Sequence, residues 1–419
     1  MALVILGIPL TSGRPLRQVL QEARLAPLNT CVLGASQCRL SMLLRVTEWL
    51  MGDLRDRCAR DMLSSLDCLH ELFENIDHEL GWYAIHGDAK LTLSNLLTAA
   101  QSFEKSEPRD GVFAVLGMLP GLERDIVPDY SRSVASVMQD ATRAVLSRQQ
   151  GLGFLRYVVP HSRDLEREDC SSWMFRADRR LDLDQDPVDL PRGPHAASAG
   201  LTGPMLHIRT SDRDSPLLDL GGIVVDEVQL TTMQCSQVYS DGVKLEAWLF
   251  GAMEALRPCA AENKIMQSEL ESELLEGLSD VVVCGVDLSD GIADSGGISV
   301  VKRYLQLVLE VGRQSKQRTQ KQIGLWNVLE SVQVRFSLSR VRNRRLFITK
   351  SGRFGLGIEA VRPGDKVVIL RGGDCPFILR SAGEQYQFVG AAYVHEIMQG
   401  EAVTEYLANG EQEQVFSIR

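Results

Sequence analysis

The sequence lacks the features that would assign it to a membrane, to a disulfide framework or to a strongly basic class. No stretch of its 419 residues approaches the roughly 20 consecutive apolar residues of a transmembrane helix. The apolar run at 1–10 has no basic residue before it, so we expect no secretory signal and a cytoplasmic protein. Nine cysteines without paired spacing do not indicate a disulfide framework. The net charge of −10 argues against a whole-protein polyanion binder.

Common catalytic and metal-binding motifs are also absent. The chain has no G-x-S-x-G elbow, no P-loop, no H-E-x-x-H and no paired C-x-x-C. Gly355-Leu356-Gly357 lacks the third glycine of a dinucleotide fingerprint, and we expect a β-turn or a close approach of strands there. We favour a protein that is not an enzyme and expect no cofactor and no metal. The weak catalytic candidates are Glu22, Arg109, Asp110 and His161.

One histidine-containing cluster leaves a metal site open as an alternative. On a helix, His70, Glu74, Asp77 and His78 would share one face, where they are spaced to hold a metal ion. A solvated polar helix face is the commoner origin of such a pattern, and we favour it.

The spacing of apolar residues predicts an α+β fold, mainly helical in the N-terminal and middle regions, with a small antiparallel β barrel or sandwich at the C-terminus. A helical stripe runs from Val134 to Val145, with Ser131 or Ser133 as its N-cap. The run at 111–117 is either a strand or a buried helical turn. The predicted strands are 222–228, 346–348, 366–370, 377–379, 386–389 and 393–397.

Changes in composition and residue pattern along the chain suggest four segments. We expect a helical region at 1–150, a proline-rich and acidic connection at 151–221, a mostly helical middle region at 222–340 and a β-rich module at 341–419.

Charge is unevenly distributed within the predicted middle region. Glu262–Asp294 contains nine acidic residues and one basic residue, whereas Lys302–Arg353 contains thirteen basic residues and two acidic ones. We favour mutual screening of these neighbouring segments. The alternative is a grip on phosphates of nucleic acid or phospholipid through Arg340, Arg342, Arg344 and Arg345.

An ordered set of motifs resembles the fungal heterokaryon-incompatibility (HET-domain) family. EPRDGVFAVLGM at 107–118 is similar to that family's D-P-R-D-K-V-Y-A-L-L-G-like segment, and IVPDYSRSVASVMQDATRAVL at 126–146 to its P-D-Y and amphipathic helix. Ser172-Trp173 resembles its S-W-V-P segment, and GIVVDEV at 222–228 resembles its G-I-V-V-D strand. RRLFITKSGRFGLG, RPGDKVVILRGGDCPFILR and FVGAAYVHEIMQGEA resemble its C-terminal module in the correct order.

The residues that carry this resemblance span most of the chain. They are Gln21, Glu22, Pro108, Arg109, Asp110, Pro128, Asp129, Tyr130, Trp173, Gly355, Gly357, Pro363, Gly364, Asp365, Pro376, Phe377, Gly390, Tyr393, His395, Gly400 and Glu401.

The N-terminal part departs from the family pattern. The motifs A-L-S-Y-x-W-G and W-I-D-x-x-C-I-N-Q of the family's core are absent, and 19–26 resembles only the closing W-V-x-Q-E-x-x-L-A stretch. The resemblance implies a TIR-like core, so most of that sheet and any NAD-cleaving site would be missing. A truncated gene model and a degenerate paralogue both fit this departure.

Three functions follow from these observations. The first is a role in non-self recognition and incompatibility cell death, as a regulatory or interaction protein whose partners are other proteins. The second is a HET-like chain recruited as an enzyme or accessory factor of a biosynthetic pathway. The third is a polyanion binder that uses 302–353, although we do not expect nucleic acid as a partner.

Overall fold

The computed structural model describes three short strands before residue 40 and a larger set of residues after it. That set is 92–101, 105–116, 126–148, 151–166, 170–179, 195–202, 217–232, 277–282, 284, 341, 343–410 and 412–419. The chain divides into two compact units, which we call unit 1 (Met1–Ala141 and Arg176–Leu181) and unit 2 (Thr142–Phe175 and Asp182–Arg419). Gln21, Glu22, the His70–His78 cluster and most of the charged middle segments lie outside the described residues.

Unit 1 contains a small sheet and short helices. Strand β1 (Ala2–Leu3) pairs in parallel with β2 (Thr30–Leu33), which pairs antiparallel with β3 (Ser36–Arg39). Helix α1 (Leu93–Ala100) is followed by α2 (Asp110–Leu116), so the run left open as strand or helical turn is a helix. Its residues Val112, Val115 and Leu116 are buried.

Helix α3 (Val134–Arg148) confirms the predicted helical stripe. Val137, Met138 and Ala141 are each at most 1 % exposed, as the i, i+3, i+4 spacing requires. The hydroxyl of Ser133 accepts the backbone N–H of Ser136 at 3.1 Å, so Ser133 is the N-cap.

Unit 2 is built on strands. They are β4 (Leu218–Thr231), β5 (Arg344–Thr349), β6 (Phe354–Ile358), β7 (Lys366–Leu370), β8 (Phe377–Ala382), β9 (Gln385–Ala391), β10 (Tyr393–Val394) and β11 (Gln414–Ile418). A 3₁₀ turn (Gly153–Tyr157), helix α4 (Ser162–Leu165) and helix α5 (Glu401–Ala408) accompany them, and residues 277–282 are also helical. With the helices, the strands make the fold α+β.

The eight strands form one mostly antiparallel sheet in the order β10-β6-β5-β4-β11-β9-β8-β7, and β4 also pairs with β7. Strand β4 pairs with β11 and β7 through its first part and with β5 through its last. Register shifts at Val224/Asp226 and Val228/Leu230 bend it between these partners. The strand also runs across residue 221, where the sequence suggested a boundary.

The core of unit 2 lies against this sheet. Ile223, Val367, Ile369, Ile378 and Val389 are fully buried in one apolar cluster. Ala402 and Val403 of α5 pack into the same cluster. Burial of this apolar surface is the main stabilising contribution to the unit.

Most predicted strands are confirmed, with two kinds of difference. The strand predicted at 393–397 ends at Val394, because Glu396 adopts a left-handed backbone conformation with φ of 68°. Strands β6 and β11 and helix α5 were not predicted. No helix within the residues that the structure describes is long and apolar enough to cross a membrane.

Candidate functional site

The E-P-R-D motif forms the start of helix α2. The backbone N–H of Asp110 donates to the carbonyl of Glu107 at 3.0 Å, and Gly111 donates to the carbonyl of Pro108 at 3.2 Å. The Arg109 guanidinium contacts Glu107 Oε1 at 2.5 Å and donates through Nε to the carbonyl of Arg132 at 2.7 Å. Hydrogen bonds from the Arg109 backbone and side chain lower the pKa of Glu107. The motif therefore ties the helix to the loop before α3.

The P-D-Y motif meets the E-P-R-D motif directly. The Tyr130 hydroxyl donates to Asp110 Oδ1 at 2.7 Å, and the Tyr130 ring lies edge-on to Phe113 with centroids 5.1 Å apart. The hydrogen bond to Asp110 raises the pKa of Tyr130, although 56 % of this residue is exposed. Asp129 Oδ1 accepts the N–H and the hydroxyl of Ser131, which lowers the pKa of Asp129.

A third segment, 176–179, packs against the same helix. Gln101 donates to the carbonyl of Arg176 at 3.0 Å, and Lys105 Nζ donates to the carbonyl of Ala177 at 2.7 Å. Burial lowers the pKa of Lys105, against an opposing effect of Asp178. A Cβ on Gly111 would lie 2.3 Å from the Ala177 carbonyl oxygen, so the glycine permits this close approach.

The RPGD segment of unit 2 is a turn closed by a buried carboxylate. Asp365 is 2 % exposed and accepts the Arg362 N–H at 2.8 Å. Arg380 Nε and Nη2 donate to its two oxygens at 2.8 and 2.9 Å. Gly364 has φ of 90° and donates to the carbonyl of Val228 at 2.8 Å. The bidentate Asp365–Arg380 pair joins the turn to β8, and the Gly364 hydrogen bond joins it to β4.

Two acidic residues of β4 form ion pairs with nearby basic side chains. Glu227 contacts Lys350 Nζ at 2.8 Å and Lys366 Nζ at 2.6 Å. Asp226 Oδ2 lies 3.6 Å from Arg353, whose other terminal nitrogen is 3.4 Å from Glu405. These contacts connect β4 to the β5–β6 turn, to β7 and to α5.

The Glu227 contacts predict a specific acid sensitivity. Hydrogen bonds from Lys350 and Lys366 lower the pKa of Glu227 from 4.5 to about 2. Its contribution to stability is therefore complete above pH 4.5 and is lost as the pH falls through about 2. We expect the thermal unfolding midpoint of Glu227→Gln to fall less than that of the wild type as the pH is lowered from 4.5 to about 2. Equal slopes in both proteins, measured by circular dichroism, would contradict this.

The G-L-G pair confirms the close approach of strands that was expected there. A Cβ on Gly355 would lie 2.1 Å from Cζ of Phe347 on the paired strand β5, and one on Gly357 would lie 2.7 Å from the Val361 side chain. The Phe347 ring crosses the strand at this point and is buried. The two glycines therefore serve packing between β5 and β6.

The remaining C-terminal motif residues also hold the unit together. His395 Nδ1 lies 3.3 Å from Asp280 Oδ2. Burial raises the pKa of Tyr393 well above its usual range. The carbonyl of Pro376 accepts the N–H of Ala392 at 2.9 Å, and Glu401 accepts the N–H of Gln399 at 2.7 Å.

The S-W motif, Ser172-Trp173, is hydrogen-bonded to strand β9. Trp173 is fully buried beneath the Arg143 guanidinium, which lies 5.1 Å from the ring centroid. The backbone N–H of Phe388 donates to the Ser172 hydroxyl at 2.7 Å, and that hydroxyl contacts the carbonyl of Arg419.

Comparison with known proteins identifies the relationship. The family described as Het-6 beta-barrel domain matches residues 305–416. Heterokaryon incompatibility protein 6, OR allele, of Neurospora crassa is 23 % identical to this chain over an alignment 423 positions long, gaps included, which covers 86 % of this chain and 60 % of that protein. The chain is thus similar to a fungal heterokaryon-incompatibility protein along most of its length, and its C-terminal part is similar to the Het-6 beta-barrel family. No solved structure matches it.

The match to the Het-6 barrel family leaves out a strand that the fold uses. Residues 305–416 contain β5 to β10 and α5, whereas β4 lies upstream at Leu218–Thr231. In this chain, β4 nevertheless pairs with β5, β7 and β11. The folded sheet is thus assembled from more of the chain than the family match covers.

The weak catalytic candidates are only partly described. Arg109 and Asp110 lie together with Tyr130 in unit 1, whereas Glu22 lies outside the described residues. His161 belongs to unit 2, where its backbone N–H donates to Asp164 Oδ2 at 3.0 Å at the start of α4. Among the described residues, no group of three or more His, Cys, Asp or Glu side chains could hold a metal ion.

Several partners of the motif residues could not be predicted from the sequence. Arg380, which binds Asp365 on both oxygens, and Lys105, which reaches the Ala177 carbonyl, carried no signal in the linear sequence. The strand register that places Leu379 opposite Lys366 explains why Arg380 reaches the turn. That register becomes apparent only once the hairpin is folded.

Proposed function

We propose that this chain acts in fungal non-self recognition, as a regulatory or interaction protein whose partners are other proteins. The observation that carries this proposal is the similarity to the Neurospora incompatibility protein along 86 % of the chain. The chain spans 60 % of that relative's length, so the cell death that ends an incompatible fusion is part of the proposal and not of the comparison. We place the protein in the cytoplasm, in keeping with its unpaired cysteine spacing.

The contacts of unit 1 support an interaction role over an enzymatic one. Arg109 uses Nε on a backbone carbonyl and Nη1 on Glu107, and Asp110 Oδ1 receives the Tyr130 hydroxyl. Groups engaged in this way position the backbone, and the arrangement contains no nucleophile aligned with a base. The exposed face of Tyr130, together with Val127 at 64 % exposure, gives the loop an apolar surface of the kind found at interfaces.

For unit 2 we propose a closed β barrel. The strand pairings return to their starting point through β4, β11, β9, β8, β7 and again β4. Such closure removes the free edges of these five strands. A barrel that packs against one buried apolar cluster suits a rigid module for binding another protein.

Expression in Neurospora crassa tests the recognition role. The full chain, placed under an inducible promoter in strains that differ at their incompatibility loci, should slow growth and increase uptake of a vital dye in at least one strain. The control is the same gene with an early stop codon. Normal growth in every strain, with the protein present at levels seen on a blot, would refute the proposed role.

The same assay separates the interaction role from the enzyme alternative. Arg109→Lys keeps the charge but loses the fork of contacts to Glu107 and Arg132. If Arg109 positions the backbone, the growth effect and the thermal unfolding midpoint should fall together. Loss of the growth effect with an unchanged midpoint would favour catalysis by Arg109.

A further inference from the structure

The exposed side chains of unit 1 include one aromatic ring that is held in place by two contacts. The Tyr130 hydroxyl donates to Asp110 Oδ1 at 2.7 Å, and the ring meets that of the buried Phe113 at an interplanar angle of 79°, with centroids 5.1 Å apart. More than half of Tyr130 nevertheless remains exposed. Because these contacts already restrain the side chain, a partner that packs against it loses little conformational entropy.

Exposed apolar side chains occur together in the loop that contains Tyr130. Among the residues that the structure describes, four large apolar or aromatic side chains are exposed, namely Val127, Tyr130, Leu407 and Val415. Val127 and Tyr130 are three positions apart in unit 1, with the exposed Pro128 between them, whereas the other two belong to unit 2. Exposed apolar side chains that occur together, and not singly, are typical of interaction surfaces.

Tyr130 is linked to two carboxylates that have no basic partner. Asp110 accepts its hydroxyl, and Asp129 directly precedes it in the chain. The Oδ1 atom of Asp129 accepts the N–H and the hydroxyl of Ser131 at 2.8 and 2.6 Å, so both carboxylates use Oδ1 for neutral donors. Within the described parts of the chain, neither carboxylate forms an ion pair within 4.0 Å.

The arginines of the two motifs pair with other acidic residues. Arg109 contacts Glu107 at 2.5 Å, and Arg132 contacts Asp140 at 2.5 Å. Each of these positive charges is therefore offset by a carboxylate that is not linked to Tyr130, and the two carboxylates that are linked to it keep their negative charge. The loop surface is thus both apolar and acidic, which is complementary to a basic side chain with an apolar stem.

We propose that the loop surface formed by Val127, Tyr130, Asp110 and Asp129 binds a partner protein through an arginine side chain of that partner. A guanidinium can lie against the aromatic ring while it donates to a carboxylate, and its alkyl stem covers neighbouring apolar surface. Arginine suits this surface better than lysine, because its planar group is more weakly hydrated and binds a carboxylate through two nitrogens. The inference rests on the proposed interaction role and adds the chemistry of the partner.

Peptides that contain arginine provide the first test. A fluorescently labelled heptapeptide, in which two arginines alternate with leucine and glycine, is titrated with the full chain at low ionic strength while its anisotropy is measured. Matched peptides carry lysine, or citrulline, which keeps the planar shape without the charge. The arginine peptide should bind about fivefold more tightly than either. Equal affinities for the three peptides, or no saturable binding of the arginine peptide, would overturn the proposal.

Three variants of the loop surface identify where the arginine peptide binds. Asp110→Asn and Asp129→Asn each remove one charge but keep an oxygen that can accept the hydrogen bonds of Tyr130 and Ser131. Tyr130→Ser removes the ring. Each variant should weaken binding of the arginine peptide about fivefold. If Tyr130→Ser fails to fold, the two asparagine variants still test the surface, because they keep the contacts of the loop.

Two variants of unit 2 are the matched controls. Glu384→Gln removes an exposed carboxylate from the turn between β8 and β9, and Leu407→Ser removes an exposed apolar side chain from α5. Both should leave the affinity for the arginine peptide unchanged. A loss with Glu384→Gln as large as that with Asp129→Asn would show that the peptide responds to overall charge, and the assigned surface would be wrong.

The growth assay in Neurospora crassa separates this inference from the proposed function. Loss of the growth effect in both Asp129→Asn and Tyr130→Ser, at wild-type protein levels, would support this surface as the one used in recognition. If both variants keep the growth effect, the inference is wrong and the recognition role stands. If the wild-type chain has no growth effect in any strain, the recognition role is refuted, and the peptide titration alone decides whether the surface binds arginine.

Discussion

Replacement of Asp365 by alanine is expected to lower the free energy of unfolding of unit 2 by about 3–5 kcal/mol. The substitution leaves the Arg380 guanidinium without the carboxylate that it contacts through two nitrogens. It also removes the acceptor of the Arg362 N–H, which sets the turn between β6 and β7. Breaking a buried ion pair from one side costs more than the pair itself contributes, because the remaining charge stays desolvated.

Urea unfolding of the full chain, read by hydrogen exchange in β7 and β8, measures this effect. Lys366→Gln is the matched control, since it removes a more exposed ion pair between Lys366, the residue after Asp365, and Glu227 of β4, and it should have a much smaller effect. If the two variants lose equal protection, Asp365 does not have the anchoring role that its contacts indicate.

Gly111→Ala is expected to destabilise unit 1 by about 2 kcal/mol, although alanine is the better helix former. The new Cβ would lie 2.3 Å from the carbonyl oxygen of Ala177 and 2.7 Å from its carbonyl carbon. Backbone atoms cannot move aside as a side chain does, so α2 and segment 176–179 must separate. Helix propensity alone predicts the opposite sign.

The exposed Ala114 of the same helix provides the control. Ala114→Gly should cost about 1 kcal/mol through propensity alone, without changing the contact with 176–179. Hydrogen exchange of the α2 amides in the full chain distinguishes the two mechanisms. Greater protection in Gly111→Ala than in the wild type would show that the close approach does not constrain the helix.

The sequence predicted those parts of the fold whose signals are local. The helical stripe from Val134 to Val145 and the β-prone runs at 366–370 and 386–389 each carry their signal within one element. Strand β11 begins with exposed Gln414 and Val415, and β6 contains two glycines, so neither resembles a typical strand. Both are strands because neighbouring strands supply their hydrogen bonds.

The candidate site was predictable as a set of motifs but not as a set of contacts. Glu107 and Arg109 are neighbours in sequence, and their pairing follows from the motif itself. The approach of Tyr130 to Asp110 and that of Ala177 to Gly111 join residues that are far apart along the chain. Such contacts depend on how helices and loops pack, which no local pattern specifies.

The pairing of β4 determines how this unit must fold. Strand β11 aligns Gln414 with Gly222 and Ile418 with Leu218, so the paired residues are about 190–200 positions apart in the chain. During synthesis, β4 leaves the ribosome long before any of its partner strands exists. Its apolar stretch must remain unpaired for many seconds at ordinary elongation rates. Assembly of the unit is therefore non-local, and the apolar stretch of β4 stays open to aggregation until its partner strands have been made.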